Sequence, residues 1–170
     1  MNLLGALLLV TASTLFGIGQ ARSLYERERC LGALIEALSF MKAELINRAP
    51  PLQDLFRDLA KVAKPELKPL FTELAAAMAK LGDESFLNIW EDCVMTNKAL
   101  ALSEDDRYEL CRPGLFLGRY ASDEQISAIE SCILRLETEH KKAVEKAREG
   151  AKLYTGVGFA VGIMIATVLI

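Results

Sequence analysis

Histidine, cysteine and paired carboxylates, the side chains that most often do chemistry in proteins, are few and scattered in this 170-residue chain. The single histidine, His140, lies on an apolar helical seam, where packing is a commoner role than proton transfer. The four cysteines lack the short Cys-x-x-Cys or Cys/His spacings that zinc and redox sites need. Acidic pairs such as Asp105-Asp106 stand at helix starts, where the helix dipole explains them. We therefore predict no enzyme activity, no catalytic residues, no cofactor, no metal ion and no small-molecule substrate.

One loop rich in arginine, glycine and apolar residues is the best candidate for a binding surface. It covers residues 112–122 and has the sequence RPGLFLGRYAS. Apolar and aromatic side chains beside arginine are typical of protein docking surfaces. The alternative is that Phe116 and Leu117 close the end of a helical bundle, and the sequence favours neither interpretation. The partner-binding candidates are Arg48, Arg112, Leu115, Phe116, Arg119 and Tyr120.

Two uncharged apolar segments frame the chain. As helices, residues 2–21 would span about 30 Å and residues 153–170 about 27 Å, roughly the thickness of a bilayer core. Basic residues follow the first segment and precede the second, which by the positive-inside rule places residues 22–152 in the cytoplasm and both termini outside. We predict two transmembrane helices and one cytoplasmic domain between them. The alternative for the first segment is a secretory signal cleaved after Ala21, although no basic residue precedes its apolar run.

The spacing of apolar residues in the central segment predicts helices throughout, because they recur three and four positions apart and no strand pattern occurs. Proline and glycine divide the segment at Pro50-Pro51, Pro65, Gly82 and Pro113-Gly114. If both chain ends meet one membrane, an antiparallel bundle requires an even number of helices. The predicted fold is an all-α, six-helix antiparallel bundle with N-terminal and C-terminal transmembrane helices.

Local signals predict where several of these helices begin. Pro65 is expected in the first turn of the third helix. Asp83 is expected to cap the fourth helix. Ser103 and Asp106 have the spacing of a capping box for a short fifth helix.

The last helix is expected to be unusually long. It begins at Ser122 and, with no proline after that position, continues from the cytoplasmic bundle into the membrane. Its seam residues become small at Ala143, Ala147 and Gly150, which would let another helix approach closely.

Basic residues concentrate at the end of the bundle that is predicted to face the membrane. There they would bind anionic lipid headgroups, although ordinary solvated charges are the alternative. The net charge of −3 gives no electrostatic case for binding nucleic acid. The predicted membrane-facing basic residues are Arg22, Arg27, Arg29, Lys61, Lys64, Lys68, Lys98, Lys141, Lys142, Lys146, Arg148 and Lys152.

A set of residues along nearly the whole chain carries a resemblance to one known family. These residues are Tyr25-Glu26-Arg27-Glu28-Arg29, Leu31, Leu34, Ala37-Leu38, Glu44, Pro51-Leu52, Leu70-Phe71, Trp90, Leu117-Gly118 with Gln125, and Lys152-Leu153-Tyr154 with Gly158 and Gly162. In their order and spacing the chain resembles stage III sporulation protein AB of endospore-forming bacteria. It departs from the family pattern at Ala121, where aspartate is common, and at Gly150, where asparagine is common.

The resemblance implies a role at a membrane. The family is similar to the cytoplasmic domain of the inner-membrane platform proteins of type II secretion and type IV pilus systems. It implies a platform in the mother-cell membrane around the forespore, in a channel complex required for endospore formation. The implied partners are the other channel subunits, including a secretion-type ATPase. The alternative is a membrane-anchored lipid-binding or scaffolding bundle without a motor partner.

Overall fold

The computed structural model of the chain describes residues 3–118 and 122–169, and every regular element in these ranges is a helix. The α-helices are α1 (Leu3–Asn47), α2 (Leu52–Val62), α3 (Lys68–Ala77), α4 (Phe86–Thr96), α5 (Glu104–Cys111) and α6 (Ser122–Leu169). Short 3-10 helices, Met78–Lys80 and Arg112–Leu115, follow α3 and α5. The all-α class, the number of six helices and the long uninterrupted last helix are confirmed for the described ranges.

The chain divides into two compact units, and α1 and α6 each contribute to both. The central unit is Arg29–His140, and the terminal unit combines Met1–Glu28 with Lys141–Ile170. Most side chains of the two predicted membrane spans, 2–21 and 153–170, lie outside the described residues. Among the residues that are described, no helix has an apolar stretch long enough to cross a bilayer.

The core of the central unit is built on an aromatic cluster. Trp90 is 1% exposed, and its ring centroid lies 5.8 Å from that of Phe56 and 6.0 Å from that of Phe86. The indole Nε1 donates a hydrogen bond to the Leu110 carbonyl at 2.8 Å, which satisfies the one polar atom of the ring. Apolar residues of α1 that recur three and four positions apart belong to the same core, with Leu31, Leu34, Leu38, Met41 and Leu45 all buried.

Small residues mark close packing of α1 and α6. In the central unit, a Cβ atom added at Gly32 would lie 3.3 Å from Nε2 of His140, so the histidine is a packed residue as expected. In the terminal unit, Ala21 of α1 is buried, and of the small seam residues predicted for the last helix Ala143 and Ala147 are buried and Gly150 is half-buried.

Two of the predicted helix starts are confirmed: α6 begins at Ser122, and α5 begins after the predicted capping box. Ser103 caps α5, since its Oγ accepts a hydrogen bond from the Asp106 N–H at 3.3 Å. The Asp106 carboxylate in turn accepts from the Ser103 N–H at 2.9 Å, which completes the capping box.

Two other predicted starts are wrong. Ser85 and not Asp83 caps α4, because Asp83 is held in a tight turn by a hydrogen bond from its N–H to the Lys80 carbonyl. Pro65 lies in the turn before α3, and Pro69 is the proline in the first turn of that helix.

The end of α4 and the loop that follows it are held by one arginine. The guanidinium of Arg107 donates hydrogen bonds to the carbonyls of Val94, of Asn97 at 3.0 Å and of Leu100 at 2.8 Å. The last carbonyls of a helix lack donors within the helix, and a cation there is also favoured by the helix dipole. Arg107 therefore supplies the donors that end α4 and orient the chain towards α5.

Replacing Arg107 by methionine is expected to lower the free energy of unfolding by about 2–4 kcal/mol, because buried carbonyls lose their donors. Urea denaturation of the full chain in detergent, followed by fluorescence of the single tryptophan, measures the change. Arg57→Met is the matched control, since Arg57 makes a surface ion pair with Asp54, of a kind that contributes about 0–1 kcal/mol. Equal losses of unfolding free energy in Arg107→Met and Arg57→Met would contradict this role of Arg107.

Candidate docking groove

A surface groove of about 370 Å³ lies on the central unit, between the segment that follows α5 and the first part of α6. We name it the α6 groove. Its lining residues are Arg112, Phe116, Glu124, Ser127, Ala128, Ser131, Cys132 and Arg135. Serine, alanine and cysteine are small, so the wall contributed by α6 leaves room for an occupant.

One carboxylate lies between the two arginines of the groove. Glu109 Oε2 is 3.2 Å from Nε of Arg112, and Glu109 Oε1 accepts a hydrogen bond of 3.2 Å from Nη1 of Arg135. Both arginine side chains are more than half exposed. A guanidinium group in such a position can bind a carboxylate or phosphate oxygen of a partner.

The buried chain beneath the groove fixes the position of its lining. A Cβ atom added at Gly114 would lie 2.7 Å from Cδ1 of Trp90, so the backbone packs directly on the indole. Gly118 has a φ of +76°, which favours glycine, and its N–H donates to Oε1 of Gln125 at 3.4 Å. The segment that carries Arg112 and Phe116 is thus tied to the core at one end and to α6 at the other.

The structure divides the apolar residues of the loop between two roles. Leu117 is fully buried and closes the bundle core, as the second interpretation expected. Leu115 is 49% exposed, and Phe116 is half-buried in the lining of the α6 groove. Apolar surface therefore remains available beside the arginines.

Only part of the predicted partner-binding set comes together. Arg112 and Phe116 line the groove, and Leu115 is exposed next to them in the chain. Arg48 does not line it, because its guanidinium pairs with Glu44 near the end of α1. Arg119 and Tyr120 lie outside the described residues.

Comparison with known proteins identifies the family. The family model for stage III sporulation protein AB matches residues 2–170. The chain belongs to this family. Stage III sporulation protein AB of Bacillus subtilis (strain 168) is 26% identical over 170 residues, which cover 99% of each chain. A solved structure of stage III sporulation protein AB (SpoIIIAB) has a TM-score of 0.64 and 25% identity, and the match covers 72% of this chain and 96% of that one.

Membership confirms the resemblance and supports a role in sporulation. The stage III sporulation protein AB family is a family of sporulation proteins and not a known family of enzymes.

The basic residues predicted to face the membrane are distributed over both units. Several are exposed but paired: Lys61 lies 3.0 Å from Asp58, Lys64 lies 2.7 Å from Glu36, and Arg22 pairs with Glu26. These carboxylates reduce the positive charge that each pair presents. The other described members with exposed side chains are Arg29, Lys68, Lys98, Lys141, Lys142, Lys146 and Arg148. Arg27 is half-buried, and the side chain of Lys152 lies outside the described residues.

Sequence reasoning missed the contribution of α6 to the groove. Ser127, Ser131 and Arg135 recur every four residues and so share one helical face. This regular spacing of small residues and an arginine could have indicated the face of α6 that lines the groove. The position of α5 opposite this face could not be predicted from the sequence, because it is set by the tertiary packing.

Burial suppresses the reactivity of all four cysteine thiols, which are free and buried. Desolvation raises the pKa of Cys30, Cys93 and Cys111 from 9.0 to about 11. It raises the pKa of Cys132 to about 12, with the Glu109 carboxylate as a further cause. Because the thiolate is the nucleophile and the metal ligand, these cysteines serve as small apolar core residues.

Alkylation by iodoacetamide at pH 8 is expected to be at least about 100-fold slower in the folded chain than in urea, because each unit of pKa lowers the thiolate fraction tenfold. Since the folded pKa values lie above 9.0, the folded chain keeps protons that the unfolded chain loses, and stability should fall as the pH rises from 9 to about 11. Mass spectrometry of each cysteine measures the rates of alkylation by iodoacetamide. Rapid labelling of native Cys132 at pH 8 would contradict this account.

Proposed function

We propose that this sporulation protein is a non-enzymatic platform of a secretion-like channel complex. Its terminal helices anchor it in the mother-cell membrane around the forespore, with both termini outside the cytoplasm. Its central unit lies in the cytoplasm and docks a secretion-type ATPase and other subunits of the complex. The observation that carries the docking role is the α6 groove, where two exposed arginines and an accessible phenylalanine meet on a rigid core.

The membrane part of the proposal rests on the sequence of the chain ends. Residues 2–21 and 153–170 contain no charged side chain, and both belong largely to long helices, α1 and α6. Arginines follow the first segment and lysines precede the second, so both flanks favour a cytoplasmic central unit.

The docking part rests on the composition of the groove. Arginine and aromatic residues are enriched where protein partners bind most strongly, and Arg112, Phe116 and Arg135 supply both types. The backbone of Arg112 and Phe116 is held by the core through Gly114 and Trp90, so this part of the surface is preorganised and little entropy is lost when a partner binds.

The anchors can be tested in non-sporulating cells that produce the full chain. The chain is expected to stay in the membrane after an alkaline carbonate wash. A membrane-impermeant maleimide should label Asn2→Cys in intact cells, but label Lys61→Cys only after permeabilisation, because Lys61 is exposed on the cytoplasmic unit. The native cysteines are buried and give little background.

Two results would contradict the anchors. Release of the chain by carbonate would exclude spanning helices. Loss of residues 2–21 from the mature chain would identify the first segment as a cleaved signal.

Docking of the motor can be tested by flotation. The full chain is reconstituted in liposomes, mixed with the purified secretion-type ATPase of the same sporulating cells, and floated through a density gradient. The ATPase is expected to float with these proteoliposomes and not with empty liposomes of the same lipid composition. Failure of the ATPase to float would contradict the platform function and leave the chain as a membrane scaffold without a motor partner.

A further inference from the structure

The α6 groove continues along α6 into a second depression. That depression has a volume of about 390 Å³ and is lined by Glu109, Leu134, Arg135, Thr138 and Glu139. The two depressions share Arg135, so together they form one trough beside α6. From Glu124 to Glu139 the trough follows about 22 Å of helix, or four turns.

The wall of the trough suits the approach of another helix. Ser127, Ser131 and Thr138 are small, and small side chains allow two helix axes to come within about 8–10 Å. Leu134, which lines the second depression, is 61% exposed, and Phe116, which lines the α6 groove, is half-buried. These two side chains offer apolar contacts beside the arginines, which a lipid headgroup or a free anion would leave uncovered.

One of the two ion pairs at the middle of the trough is incomplete. Glu109 Oε2 is buried and accepts no hydrogen bond from the described residues, although Nε of Arg112 lies 3.2 Å away. The contact between Glu109 and Arg112 is therefore poorly aligned, and Arg112 keeps donors for another acceptor. Arginine binds a carboxylate best through two parallel hydrogen bonds.

The charges along the trough have a definite order. Arg112 and Arg135 lie at its middle with the Glu109 carboxylate between them, and the carboxylates of Glu124 and Glu139 line its two ends. A helix with an acidic side chain at its centre and none towards its ends matches this order. A uniformly acidic segment would meet like charges at both ends.

We propose that the trough binds one α-helix of a cytoplasmic partner protein, about four turns long, whose central carboxylate pairs with Arg112 and Arg135. This inference rests on the proposed function, because it gives the chemistry by which the platform recognises a partner. The helix buries Phe116 and Leu134, and its carboxylate occupies the donors of Arg112 that Glu109 leaves free.

Photo-crosslinking of the full chain in sporulating cells tests the proposal. The photoreactive residue p-benzoylphenylalanine replaces Ser131 or Thr138 in the trough, and replaces Ser39, an exposed residue of α1, as the matched control. Mass spectrometry then identifies the crosslinked peptide. The Ser131 and Thr138 probes are expected to capture the same helical segment of another protein, with an acidic residue at its centre, and the Ser39 probe is not.

Charge reversal decides whether the arginines recognise that segment. Arg112→Glu with Arg135→Glu is expected to lower the crosslink at the Thr138 position at least about tenfold, and acid-to-lysine exchange in the captured segment should restore it. Ser131→Trp fills the trough without a change of charge and should also remove the Thr138 crosslink. Circular dichroism of each purified variant checks that the helices are intact.

Several outcomes would overturn the proposal. These are a lipid adduct, a crosslink to a second copy of this chain, a captured segment without an acidic residue, a crosslink that survives the double reversal, and no capture above the Ser39 control.

The flotation experiment separates failure of this proposal from failure of the platform function. If the double variant still floats the ATPase, the trough is not its docking site but the platform stands, whereas an unmodified chain that floats no ATPase contradicts the platform itself.

Discussion

The contact between Trp90 and the chain from Leu110 to Gly114 is the interaction on which the rest of the central unit depends. The indole donates to the Leu110 carbonyl at 2.8 Å, and its face leaves no room for a Cβ atom at Gly114. Because Trp90 also packs on Phe56 and Phe86, this contact joins the core to the end of α5. It thereby sets where the side chains of Glu109 and Arg112 meet α6.

The contact of Trp90 with this segment also explains how a helical unit with no predicted catalytic residues could provide a docking surface. A rigid core holds one wall of the α6 groove, and α6 supplies the other wall with small residues and Arg135. The incomplete pairing of Glu109 with Arg112 leaves charge-assisted donors at the centre of an otherwise small and partly apolar surface. We infer that recognition here depends on preorganised arginines rather than on a change of fold.

Patterns that act over a few residues were predictable from the sequence, and features that depend on distant packing were not. The apolar spacing gave the six helices, and the Ser103–Asp106 capping box was readable because both partners lie within one turn. Asp83 and Pro65 were misassigned because tight turns compete with helix starts for the same residue types. In the groove, Arg112 and Phe116 stood out on a loop, whereas Arg135 lies within a long helix and gains its role only from the packing of α5 against it.

Hydrogen exchange of the full chain in liposomes, with and without the purified ATPase, tests the central claim most directly. If the groove is the docking surface, the amides of residues 109–118 and of α6 from Glu124 to Glu139 should exchange more slowly when the ATPase is bound, while those of α2 and α3 should be unchanged. Protection confined to α2 and α3, or an unchanged groove under conditions in which the ATPase is bound, would contradict the account.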